Sequence, residues 1–252
     1  MRDLRYDDLA VTVADTPDEL ARIASDAFAQ AVATALADAE TASVVLATGN
    51  SQLSFAERVT ARDDVDWGRI TLFHMDEYRG MSADHPASFR LWMREHIAAK
   101  VPLRAFHGIE GDREPVPAEL ERYAELLRTE PPAVVVMGIG ENGHLAFNDP
   151  PADFDTTELI HLVRLDEACR RQQVGEGHFA SLDETPTEAL SLTVPMLISP
   201  PAVLVVAPER RKAEAVRATL EGPVTEDVPA SILRRVPQAR LLLDAESASL
   251  LS

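Results

Sequence analysis

Apolar residues cluster in short blocks along this chain: "LAVTVA", "SVVLATG", "RITLFH", "AVVVMGIG", "ELIHLVRL", "AVLVVAP" and "ARLLLD". Near-continuous apolar runs bounded by turn residues suit strands buried on both faces. Between them, apolar positions recur at helical spacing in "TPDELARIASDAFAQAVATALADAE", "LSFAERVTA", "PASFRLWMREHIAA", "PAELERYAELLRT", "ERRKAEAVRATLEG" and "VPASILRRV". The first of these helices has Thr16 as N-cap, Pro17 at the first helical position and Glu19 in the first turn. Alternation of this kind predicts an α/β fold over residues 1–252: one domain built on a doubly wound, mostly parallel sheet with helices on both faces.

In such sheets ligands sit beyond the carboxyl ends of the strands. Three strand ends carry unusual residues: "ATGNSQ" (47–52), "HMDEY" (74–78) and "GIGENGHLAFNDP" (138–150). Thr48, Gly49, Asn50 and Ser51 offer hydroxyls and backbone N–H groups of the kind that hold a phosphate, although an ordinary helix cap reads the same way. Asp76 and Glu77 follow an apolar strand, and adjacent residues of an extended segment point to opposite sides. One of them can therefore face a pocket, where burial raises a carboxylate's pKa and suits it to removing a proton from carbon. The competing account pairs both acids with Arg79 or Arg90. In the third segment Gly138, Gly140 and Gly143 permit a tight loop around His144, and Asp149 can orient or charge-balance that imidazole. Lys212 opens a helix after the strand "AVLVVAP"; a solvated helix face is the alternative there.

Charge narrows the partners. The net charge of -18 argues against nucleic acid and anionic membranes. Lys100 and Lys212 are the only lysines, so any anionic substrate must be met by a local positive site. Cys169 is the sole cysteine, so no disulfide can form within the chain, and no cysteine-based zinc site is expected. No apolar run approaches the ~20 residues of a membrane helix, and the N-terminus lacks a secretory pattern. A cytoplasmic protein is expected.

Together, "HMDEYRGMSADHPASF", "GIGENGHLAFNDP" and "SLTVPMLISPPAVLVVAPERRKAEAVRATLEG" resemble the glucosamine-6-phosphate deaminase family, within the superfamily that also holds the 6-phosphogluconolactonases. The deaminase branch carries an MDEY-type motif followed by HP-x-S, and a GHIAFNEP-type loop. The lactonases instead carry DER and GHTASLFP-type motifs. The resemblance implies a Rossmann-like sugar-phosphate isomerase/deaminase fold, a small phosphorylated amino sugar as partner, and neither cofactor nor metal. It implies that His144 moves the proton that opens the pyranose ring, supported by Asp149 and Asn142, and that Asp76 shuttles a proton between C2 and C1. Phosphate binding falls to Thr48, Gly49, Asn50, Ser51 and Lys212, with Glu77, Gly140 and Gly143 as loop support.

The segment "LDEACRRQQVGEGHF" departs from the family pattern, because Gly175 stands where a phosphate-gripping Arg is usual. Arg170 or Arg171 is the expected substitute. The segment after Asp149 lacks the basic residues of the allosteric site in larger hexameric members, so no comparable activation is expected. Residues 150–185 are a candidate lid, and homo-oligomer formation stays open. Two other functions compete: a lactone hydrolase of the same fold, which would not need Asp76 as a carbon base, and a non-catalytic sugar-phosphate sensor.

Overall fold

The computed structural model describes residues 1–175, 177 and 179–252. Its strands are β1 (Arg2–Tyr6), β2 (Leu9–Ala14), β3 (Ala42–Leu46), β4 (Ile70–His74), β5 (Asp76–Tyr78), β6 (Ala105–His107), β7 (Pro132–Met137), β8 (Ile160–Arg164), β9 (Glu188–Leu192), β10 (Ala202–Ala207) and β11 (Ala239–Asp244). The helices are α1 (Pro17–Ala37), α2 (Leu53–Thr60), α3 (Phe89–Met93), α4 (Val116–Thr129), α5 (Glu167–Gly175), α6 (Val194–Ile198) and α7 (Ala213–Glu221). Eight strands form the main sheet in the order β1-β2-β11-β10-β7-β3-β4-β6. Among the described residues of this sheet, only the β1–β2 pairing is antiparallel.

The apolar strands are continuous in hydrophobicity because both faces are covered. Val45, Val135, Met137, Val205 and Leu241 turn to one core, shared with Tyr123 and Leu127 of α4, Leu197 of α6 and Val216 of α7. Their neighbours Val44, Leu46, Val134, Val136, Leu204 and Leu242 turn to the other, shared with Phe28 of α1 and Phe55 of α2. Period-two alternation thus separates two cores rather than core from solvent. The α1 start matches expectation: the Thr16 side chain accepts from the Glu19 N–H, with Pro17 at the first position.

Several elements differ from the sequence expectation. β1, β6 and β9 are short or polar and give little apolar signal. "ELIHLVRL" does form a strand, but in a separate antiparallel sheet of order β5-β9-β8. The helix expected in "PASFRLWMREHIAA" is α3 continued by a π turn over Arg94–Ala98, and "VPASILRRV" winds as a 3-10 helix over Pro229–Arg235. Among the described residues no helix is long and apolar enough to cross a membrane.

Phe28 sits between Phe55 (ring centroids 5.9 Å, edge-on) and Trp67 (5.8 Å, stacked) on the α1 side of the sheet. Phe28→Ala is expected to cost about 3–5 kcal/mol, from lost apolar burial plus the cavity left behind. Denaturant unfolding would show it as a lower midpoint at unchanged slope.

Candidate active site

The strand order reverses its direction of growth between β3 and β7. Connections leaving those two strands diverge and open a crevice at their carboxyl ends. The loops after β3, β7 and β10 and the start of β5 line one open cleft there, of about 640 Å3 with its mouth included. Of the residues expected to act, Thr48, Gly49, Asn50, Ser51, Asp76, Gly140, His144 and Lys212 all border this cleft.

Asp76 owes its position to a change of sheet. β4 ends at His74, and the chain passes through Met75 directly into β5, where Asp76 pairs with Ser191 of β9. The junction is tightly held: the Tyr123 hydroxyl donates to the His74 carbonyl at 2.7 Å, and the Leu192 N–H donates to the Met75 carbonyl at 2.8 Å. The His74 ring is itself structural. Its Nε2 accepts from the Ile109 N–H at 2.8 Å, and burial, helped by Arg90, keeps it neutral by lowering its pKa to about 3.

The two acids do face opposite ways. Glu77 is fully buried and accepts from Ser88 Oγ at 2.7 Å and from the N–H groups of Arg90 at 2.9 Å and Phe89 at 3.2 Å, capping the start of α3. Asp76 is 8% exposed and borders the cleft. Burial, and then the neighbouring Glu77 charge, push its pKa up to about 8. Burial also raises Glu77, to about 7, although its hydrogen bonds oppose the shift. Among the described residues no arginine pairs with Asp76, and Glu77 meets Arg90 only at the limit of an ion pair. Arg79 goes to Glu188 and Glu114, and Arg90 to Asp112, its Nε only 4.0 Å from Glu77.

The loop after β7 folds on itself: Gly140 N–H donates to the His144 carbonyl at 2.9 Å, and Gly143 N–H to the Gly140 carbonyl at 3.0 Å. The His144 ring lies directly on Gly140, where a Cβ would stand 2.2 Å from Nε2; only glycine allows that approach. Nδ1 faces Asp149 Oδ1 at 3.2 Å, and the Asn142 amide donates to the same oxygen at 3.1 Å. Asn142 Oδ1 in turn accepts from the His144 N–H at 3.0 Å. Burial opposes the Asp149 charge, but His144 and Asn142 outweigh it and hold the carboxyl below its ordinary range. Asn142 and Asp149 therefore act on His144 from behind, outside the cleft lining. The loop's far end is tied to the small sheet, with Phe147 N–H on Ser191 Oγ and the Asn148 amide on the Leu192 carbonyl.

At the opposite wall, Gly49 takes φ +97°, a left-handed conformation that turns the chain from β3 into the 3-10 turn Asn50–Gln52. Lys212 lies not in a helix's first turn but in the 3-10 turn Arg210–Lys212 before α7, with its side chain buried. Asp244 secures this turn by accepting from the Glu209 N–H at 3.0 Å.

Comparison with known proteins fits this geometry. Residues 15–242 match the family model described as glucosamine-6-phosphate isomerases/6-phosphogluconolactonase. The chain belongs to that family. A glucosamine-6-phosphate deaminase of Exiguobacterium sibiricum is 35% identical over 95% of this chain and 92% of its own length. The deaminase of Streptococcus pneumoniae serotype 4 is also 35% identical, over 82% of this chain and 86% of its own. Among solved structures, a monomeric glucosamine-6-phosphate deaminase superposes with a TM-score of 0.88 at 30% identity, covering 95% of this chain and 99% of that one. A 6-phosphogluconolactonase of Thermotoga maritima shares the fold, with a TM-score of 0.77 at 17% identity over 94% of this chain and 99% of that one.

One expectation for this family member fails. Arg170 is committed elsewhere, its guanidinium donating to the Leu182 and Thr185 carbonyls. Arg171 pairs with Glu167 on the exposed side of α5. Neither borders the cleft. A helical turn separates the side chains of α5 by angle, and the cleft-facing position goes to Gln173, two residues before Gly175. Gln173 is 5% exposed, and its Oε1 accepts from the Tyr78 hydroxyl at 2.6 Å. Sequence reasoning missed it because α5 is polar on most faces and carries no strong helical pattern. Gln52, Phe89 and Phe147 were missed as well, although all stand beside the quoted motifs.

A raised carboxyl pKa has a stability signature. Between the unfolded carboxyl pKa of ~3.9 and the folded value of about 8, native protein holds a proton on Asp76 that the unfolded chain releases. Asp76 therefore destabilises the fold increasingly as pH rises through that window. Asp76→Asn is expected to raise Tm at pH 8 by at least about 2–4 °C, the equivalent of ~1 kcal/mol, and to change it little at pH 4. Calorimetric scans of both proteins across this range would check it.

Proposed function

We propose that this enzyme converts glucosamine 6-phosphate, or a close amino-sugar phosphate, into fructose 6-phosphate and ammonia by a deaminating aldose–ketose isomerisation. The observation that carries this reading is the desolvated Asp76 carboxylate on the cleft wall, in the same cleft as His144 and Lys212. The deaminases that are 35% identical to most of this chain support it.

Each role follows from the local chemistry. With Nδ1 turned to Asp149, His144 has Nε2 left for the sugar, where it can take the anomeric hydroxyl proton and return it to the ring oxygen, opening the pyranose. Asp149 stabilises the imidazolium formed on the way. In the open chain the C2 proton is made acidic by the adjacent aldehyde. Asp76 removes it as the aldehyde oxygen takes up a proton, giving an enolamine, and then delivers its proton to C1, while loss of one N–H proton leaves an imine at C2. Water adds to that imine and ammonia leaves. Partial desolvation makes Asp76 a stronger base than an exposed carboxylate, and fixed pairing of β5 keeps it from collapsing onto solvent. Thr48, Gly49, Asn50, Ser51 and Lys212 form the phosphate end, with Gln173 as a neutral donor on the same cleft.

Two outcomes are expected. The purified protein releases ammonia from glucosamine 6-phosphate, and Asp76→Asn lowers kcat by about 10²–10⁴-fold with little change in KM. If hydrolysis of 6-phosphogluconolactone proceeds instead and survives Asp76→Asn, the lactonase reading replaces this one; binding without turnover leaves a sensor. Because Asp76 must be ionised to act, kcat/KM should rise about tenfold per pH unit below pH ~8 and level off above it. Lys212→Ala should raise KM by about 10- to 150-fold, the loss of one charge-assisted contact worth ~1.5–3 kcal/mol.

A further inference from the structure

We propose that His144, Asp149 and Cys169 form a binding site for a thiophilic divalent cation of the zinc class, and that occupation of this site arrests the enzyme. The ligating atoms of these three side chains lie within 4.8 Å of one another. Zinc takes imidazole, carboxylate and thiolate ligands at ~2.0–2.3 Å, which sets ligand atoms ~3.5 Å apart. The cluster therefore needs a contraction of about 1 Å, within reach of side-chain rotation. The three groups come from two elements, the loop after β7 and α5, so neither has to be rebuilt.

A second observation points to a ligand independently. The His144 and Asp149 side chains are only 12% and 9% exposed, and Cys169 is buried. Asp149 Oδ2 is enclosed yet accepts from no N–H or O–H group among the described residues. The Cys169 thiol packs against this carboxylate, and burial together with Asp149 pushes the thiol pKa up, so only a cation would draw off its proton. Nδ1 faces the other carboxylate oxygen at 3.2 Å. A buried carboxylate oxygen without a full donor is costly, and a cation held by that carboxylate, Nδ1 and Sγ would satisfy it. Charge balances too. A neutral imidazole, a carboxylate and a thiolate sum to minus two, and a divalent ion brings that dry site to neutrality.

Binding is a substitution of a proton by a metal. The cation forms bonds to Nδ1, a carboxylate oxygen and Sγ, the Cys169 S–H bond breaks, and the proton leaves to solvent; nothing is oxidised. Of the three, His144 is the one that borders the cleft. Arrest of turnover rests on the role proposed above for His144: with Nδ1 held by a cation, Asp149 can no longer stabilise a protonated ring. Binding itself does not depend on that role.

The test uses the metal-free protein. Titration with Zn2+ should show one ion per chain, and Co2+ should give a thiolate charge-transfer band in the near ultraviolet with ammonia release falling in parallel. Cys169→Ala and Cys169→Ser should keep ammonia release without metal, lose the Co2+ band, and weaken Zn2+ by at least about 100-fold, more than is usual for loss of a supporting residue. Unchanged Zn2+ affinity in both variants, or Co2+ bound to the wild type without a thiolate band, overturns the site. Stoichiometric binding that leaves turnover intact overturns the arrest. The binding arms remain decisive even if the wild type releases no ammonia from any amino-sugar phosphate, which would refute the proposed reaction instead.

Discussion

Met75 is where the chain leaves one sheet and enters another, and the site depends on that transfer. β4 must end with its backbone held, because the next residue already belongs to the antiparallel sheet. The Tyr123 hydroxyl on the His74 carbonyl and the Leu192 N–H on the Met75 carbonyl fix the junction from both sides. With the backbone extended, Asp76 and Glu77 must point apart. One carboxylate is then saturated by the start of α3, while the other is left on a cleft wall with burial as its main influence. The same backbone that buries Asp76 therefore sets its basicity.

β9 links the two halves of the candidate machinery. It pairs with β5, which carries Asp76, and its Ser191 hydroxyl and Leu192 carbonyl hold Phe147 and Asn148 at the end of the His144 loop. Asp76 and His144 are thus referenced to one strand although they lie on different connections. Gly140 completes the arrangement by letting the imidazole rest on bare backbone, and Asn142 spans the loop from the His144 N–H to Asp149.

The opposite wall is built with less redundancy. A left-handed Gly49 and a buried Lys212 on a 3-10 turn supply the positive end of a strongly acidic chain. The two arginines of α5 do not add to it, because one holds the 182–185 turn through backbone carbonyls and the other faces solvent. Gln173 occupies the position between them and the cleft, held by Tyr78 of the strand that also carries Asp76.

Local chemistry made much of this legible in one dimension. Apolar blocks bounded by turn residues give β2, β3, β4, β7, β10 and β11, since a strand covered on both faces has no polar side to interrupt its run. Glycines, small hydroxyl residues and paired acids at strand ends mark Thr48 to Ser51, Asp76, His144 and Lys212, because those residue types are costly to place there without a use. What the tertiary structure alone decided is which side chains share a space. β5 and β9 pair across more than a hundred residues, so no local pattern reveals that "ELIHLVRL" joins a second sheet. The angle of α5 against the cleft is set by packing of Cys169 and its aromatic neighbours, so helix spacing could not tell Gln173 from Arg170 or Arg171. Sequence specifies which groups can do chemistry; long-range packing, which has no short-range signature, selects the ones that meet.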